Sequence, residues 1–199
     1  MAYQAEISRH TPTAFLFLID QSGSMSDKLP SGLTKSEFVA DVMNRTLASL
    51  ITRCTKSEGT RNYFDIGVIG HGGHGVGNGF RGGLGGKIMH PISEIENEPL
   101  RVEDRVKKVP DGAGGIVEQN IKFPVWFEAE AYGGTPMCSA LIKAAEELAD
   151  WCDNHPDSYP PTILHITDGE ANDGDPEEIA SQLATLSTND GELLIFNFM

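Results

Sequence analysis

Basic side chains are scarce in this chain: 15 lysines and arginines stand against 29 aspartates and glutamates, a formal charge of −14 at neutral pH. A surplus of that size repels phosphate backbones and anionic bilayers, so no nucleic acid and no membrane is expected as a partner. A cation or a basic protein is the better expectation. Cysteine is scarce too. Cys54, Cys138 and Cys152 are an odd set without close spacing, which argues against a disulfide framework and suits reduced thiols on helix faces in a cytosol. No apolar run approaches membrane-spanning length, and Met1 to His10 contain no basic stretch followed by an apolar one. Nothing here reads as an export signal or an anchor, and the expected location is cytoplasmic.

What the chain does have is a globular balance, 39% hydrophobic and 22% charged over 199 residues, enough for a single domain with a buried sheet. Ala14-Phe15-Leu16-Phe17-Leu18-Ile19 runs apolar without polar alternation, which reads as a strand covered on both faces at the centre of a parallel sheet. Directly after it comes Asp20-Gln21-Ser22-Gly23-Ser24, a solvent-facing loop with a carboxylate and two hydroxyls. Oxygen ligands in a short polar turn suit Mg²⁺, Mn²⁺ or Ca²⁺ rather than zinc or copper. Two distant segments complete the set: Gly133-Gly134-Thr135-Pro136-Met137, and Thr167-Asp168-Gly169-Glu170 at the end of the apolar run from Thr162.

These motifs resemble the von Willebrand factor A family, whose metal-ion-dependent adhesion site uses an Asp-x-Ser-x-Ser loop, a distant Thr and a distant Asp. All parts occur here in the family's order: Asp20, Ser22 and Ser24, then Thr135, then Asp168. The resemblance implies an α/β fold, doubly wound with a mostly parallel central sheet and helices on both faces. It implies a divalent cation held by hydroxyls directly and by one or both aspartates through water. It also implies a partner protein that supplies an Asp or Glu to the ion, and no catalysis. Gly-Gly-Thr-Pro-Met and Ile-Thr-Asp-Gly-Glu look most like small intracellular bacterial members, some of which work beside protein kinases and phosphatases in stress-response or phage-defence systems.

Thr34-Lys35-Ser36-Glu37 is a capping box that starts a helix to about Arg53, with Phe38, Val39, Val42, Leu47, Leu50 and Ile51 as its buried face. Tyr63 to Ile69 reads as a strand, and the glycine-dense stretch Gly70 to Gly86 as too permissive to hold a regular element. Lys87 to Tyr132 reads as β-rich, with turns at Pro110-Asp111-Gly112 and Gly114-Gly115. Relative to the family, residues 70–132 look like an insertion, and the usual last strand and helix look missing. Thr135-Pro136 reads as a hydroxyl cap with a first-turn proline, Thr162 to Thr167 as a strand, Asp175-Pro176 as the start of a helix to about Leu186, and Leu193 to Phe198 as a last strand.

Other patterns carry less. Gly77 to Gly82 fits G-x-G-x-x-G but leads into more glycine, not into a helix that could receive a pyrophosphate. His71 and His74 lack a third ligand and read as a flexible surface loop, and His165 as a core histidine. The acids from Asp168 to Asp175 have Asp173 where a calcium loop needs glycine, and read as a negative rim. Two rival functions stay open: a metal-dependent hydrolase or phosphatase using Asp20, in which Ser22 stands where a second carboxylate is wanted, and a fragment of a secreted adhesin.

Overall fold

The computed structural model describes residues 3–110, 112 and 114–198. At its centre lies β1 (Thr13–Gln21), as the unbroken apolar run requires: Leu16, Leu18 and Ala14 have no exposed surface. The chain leaves β1 through a 3-10 turn (Gly23–Ser26) into α1 (Lys35–Cys54), then passes a small hairpin of β2 (Thr55–Lys56) and β3 (Gly59–Thr60). It returns beside β1 as β4 (Phe64–Gly72), parallel in register from Thr13↔Phe64 to Gln21↔Gly72. Two short antiparallel strands, β5 (Gly75–Asn78) and β6 (Met89–Pro91), pair with β4. A short α2 (Ile92–Asn97) leads into a ribbon of β7 (Arg101–Pro110) and β8 (Ile116–Val125), outside the main sheet.

The second half builds the other side of the sheet. α3 (Met137–Asn154) precedes β9 (Thr162–Ile166), which pairs in parallel with β1. α4 (Pro176–Leu183) and a two-residue hairpin, β10 (Ser187–Thr188) with β11 (Gly191–Glu192), lead to β12 (Leu194–Phe198), parallel to β9. The order is therefore β12-β9-β1-β4-β5, a mainly parallel sheet in an α/β fold. Successive residues of a strand face opposite ways. Phe17, Ile19, Ile66 and Val68 pack against α1 and α2, while Leu16, Leu18, Ile69 and Ile163 pack against α3 and Leu183 of α4. Among the described residues no helix is long and apolar enough to cross a membrane.

Three expectations need correction. α1 begins at the Thr34–Glu37 capping box, but its buried face is Ser36, Ala40, Met43, Asn44, Leu47, Ile51 and Cys54, and Phe38 and Val42 lie outside. The stripe can include Asn44 because its amide is fully satisfied: Nδ2 donates to the carbonyls of Ala40 and Phe127, both at 2.8 Å, and Oδ1 accepts from Trp126 N and Phe127 N at 2.7 and 3.0 Å. A buried amide with every bond made is tolerated where an unpaired one is not. The glycine run is not structureless, since Gly70–Gly72 complete β4 and Gly75–Asn78 form β5. Backbone hydrogen bonds make the ladder, and the absent side chain at Gly70 leaves room for Gln21 to lie across it. α4 stops at Leu183, three residues before the expected end. The turn read at Asp111 lies outside the described residues.

Candidate functional site

Asp20 closes the buried part of β1 at the carboxyl end of the sheet. There the strand order divides toward β4 on one side and β9 on the other, the position where doubly wound sheets present ligands. Its carboxylate has no exposed surface. Oδ1 accepts from Ser22 N at 2.8 Å and Oδ2 from the Thr167 hydroxyl at 2.6 Å. No cationic side chain forms an ion pair with it among the described residues. A buried charge without a counter-charge is costly, and two neutral donors offset only part of that.

The loop after Asp20 was expected to face solvent, yet Ser22 is buried and only Ser24 is exposed. The cause is a second loop lying over it: Gly23 N donates to the Gly133 carbonyl at 2.8 Å, and Tyr132 N to the Gln21 carbonyl at 2.7 Å. Gly133 sits at φ +76°, and a Cβ there would strike the backbone of Gly73, so both close approach and the left-handed turn demand glycine. Ser22 Oγ stands 3.0 Å from Ser24 Oγ, and the Ser24 hydroxyl donates to Asp168 Oδ1 at 2.6 Å. Asp168 Oδ2 accepts from Lys35 Nζ at 2.7 Å. Burial pushes the Asp168 carboxyl up, but the Lys35 ammonium and the Ser24 hydroxyl outweigh it and hold it below the usual value.

Thr135 reaches the same place without capping a helix. α3 starts at Met137 with Pro136 before it, and neither Thr135 nor Pro136 supplies a side-chain cap. The free amides of that helix go instead to Asp173: Cys138 N donates to Oδ1 at 3.0 Å and Ser139 N to Oδ2 at 2.8 Å. A carboxylate at a helix N-terminus is favoured by the dipole as well. Thr135 is thereby left buried beside the residue after Asp168, its Oγ1 3.8 Å from where a Cβ of Gly169 would stand. Of the five residues singled out in the sequence, Asp20, Ser22, Ser24 and Asp168 fall in one neighbourhood, linked by hydrogen bonds through the loop and Ser24, and Thr135 adjoins them.

The sequence reading missed Lys35, which it saw only inside the capping box, and the roles of Thr167 and Asp173. It also placed His71 on a surface loop. His71 pairs in register with Asp20 on the sheet, is wholly buried, and its Nε2 lies 3.3 Å from Nε2 of His165. His165 is a core residue as expected. Burial pushes His165 down to about 4, with His71 adding to the effect, and burial lowers His71 as well against the pull of Asp20. The His71 Nδ1 has no hydrogen-bond partner among the described residues.

Among the described residues no group of His, Cys, Asp and Glu is placed to hold a metal by those side chains alone. The cluster at Asp20 is of another kind, two carboxylates with three hydroxyls, a set that fits a hard cation. Two oxygens bound side by side on an octahedral ion with bonds of 2.0–2.1 Å stand about 2.9 Å apart. The Ser22–Ser24 separation of 3.0 Å, a hydrogen bond in which Ser22 donates because the Ser24 proton is directed to Asp168, is close to that spacing. Beside the cluster a cavity of about 410 Å³ opens between Thr167, Glu170, Asp175 and Asn197. Set against known proteins, the chain matches no family model and no curated sequence.

Proposed function

We propose that this chain is a von Willebrand A-type binding module that docks a partner protein's carboxylate on a divalent cation, Mg²⁺, Mn²⁺ or Ca²⁺, held by Asp20, Ser22, Ser24, Thr135 and Asp168. The observation that carries it is Asp20: a carboxylate with no exposed surface and no cationic partner among the described residues, next to two serine oxygens at the spacing of neighbouring ligands. The strand order, with its division at β1, supports the same reading. When bound, the ion would supply an electrophilic position open to an external acid.

The chain's own groups divide the work. Ser22, Ser24 and Thr135 offer neutral oxygens, so little protein charge is spent on the ion. Asp20 orients the loop through Ser22 N while giving the site its buried negative charge. Asp168 accepts the Ser24 hydroxyl's hydrogen bond and fixes that hydroxyl in place. Both Asp20 oxygens accept hydrogen bonds and neither is exposed, which suits a carboxylate that would meet the ion through water and disfavours it as a nucleophile. In this reading the module binds rather than catalyses; a cytoplasmic location and a place among bacterial regulators with kinase or phosphatase partners belong to the proposal through the resemblance alone.

Titration with Mn²⁺ followed by electron paramagnetic resonance tests the site. Wild type should bind one ion, and Ser22→Ala combined with Ser24→Ala should weaken it at least tenfold while the far-ultraviolet circular dichroism stays unchanged. Equal Mn²⁺ binding by the two proteins would end the proposal.

A further inference from the structure

We infer that Lys35 is a built-in counter-ion that holds down the affinity of the site for a divalent cation and raises its demand for an external carboxylate; this rests on the reading above. Lys35 opens α1, and its Nζ bridges Asp168 Oδ2 at 2.7 Å and Asp27 Oδ2 at 3.2 Å. Asp168 Oδ1 is already committed to Ser24. With both oxygens engaged, Asp168 acts on an ion through the Ser24 hydroxyl or a water, while the ammonium stays fixed against it.

Charge decides the consequence. The two carboxylates of the site, Asp20 and Asp168, are half neutralised by Lys35 before any ion arrives. A divalent cation entering that environment leaves the site with one net positive charge, to be met by an anion from outside. Were Lys35 neutral, the same ion would be balanced by the two aspartates and would need no external acid. Asp27 shares the ammonium, but its side chain is 68% exposed and water screens it. Asp173 is occupied at the start of α3, and Glu170 is exposed. The Lys35 charge therefore acts in opposite directions on the two ligands, repelling the ion and attracting the acid.

Three proteins test this: wild type, Lys35→Met and Lys35→Arg, titrated first with Mn²⁺ at low ionic strength and then, Mn²⁺-loaded, with acetate while water-proton relaxation is followed. Lys35→Met should bind Mn²⁺ about fivefold more tightly, a scale set by losing one nearby charge in a partly solvated site. The same variant should need several times more acetate to displace the ion's water, and Lys35→Arg should stay within about twofold of wild type on both counts. Thermal melting checks that the variants fold alike. If folded Lys35→Met binds Mn²⁺ no more tightly than wild type, or responds to acetate equally, the counter-ion role is overturned while the metal site stands. If wild type and the Ser22→Ala, Ser24→Ala variant bind Mn²⁺ equally, both fall together.

Discussion

The loops at the carboxyl end of the central strands and the β7–β8 ribbon are both rich in polar side chains, and they handle charge in opposite ways. In the ribbon Arg101, Arg105 and Lys122 meet acids locally at the surface. Arg105 pairs with Asp41 at 2.6 Å and Glu103 at 3.0 Å and covers the Phe123 ring at 3.8 Å, and Lys122 pairs with Asp104 although both are 73% exposed. At the strand ends, Asp20 is sealed in with no cationic partner among the described residues, two histidines are buried against each other, and hydroxyls hold the carboxylates in place, with Lys35 reaching Asp168 alone of the two. A ribbon of two strands has too little core to enclose charge, whereas a doubly covered sheet can bury it and make its neutralisation depend on a ligand.

Asn44 ties the segment that follows the ribbon to α1, and removing it should break the comparison most severely. Asn44→Ala strips the partners from the Trp126 and Phe127 amides that follow β8, and the expected loss is about 4 kcal/mol of unfolding free energy in urea. Amide exchange should quicken in β8 more than in β9, because the ribbon loses its tie to α1.

Acid should then attack the strand ends before the ribbon. The unfolded chain protonates a histidine near pH 6.5, while the folded protein holds His165 neutral down to about 4. Between those values the unfolded state binds more protons, so stability is full above about pH 6.5 and falls as the pH drops toward 4, by roughly 3 kcal/mol. His71, lowered by the same burial, adds to the slope in the same direction. His165→Leu should flatten much of that slope in urea titrations run across this range. An unchanged slope would show that the buried pair is not its source.

The smallest effect sharpens the contrast from the other side. Lys122→Gln removes an ion pair exposed at both ends and should leave the thermal midpoint unmoved within measurement, with or without added salt. A clear loss of stability would mean that ribbon charges matter as the buried ones do.

Much of this architecture was legible in local spacing. The unbroken apolar run of β1, the Thr34–Glu37 box and the Asp175-Pro176 start all appear where they were read. The glycine run was misread because a strand held by its backbone ladder leaves no trace in side-chain pattern, and α1's face because Asn44 looks polar in sequence and behaves as core.

Sequence alone determined the order of the long elements, β1, α1, β4, α3, β9, α4 and β12, and put a carboxylate with two hydroxyls at the end of a buried strand, since these depend on neighbours a few positions apart. Tertiary structure decided the rest: that Lys35 meets Asp168, that Asp173 rather than Thr135 caps α3, and that His71 lies against His165. Those partners are far apart in the chain, and only the side-by-side placement of β4, β1 and β9, fixed by burial on both faces of the sheet, brings them within reach of one another.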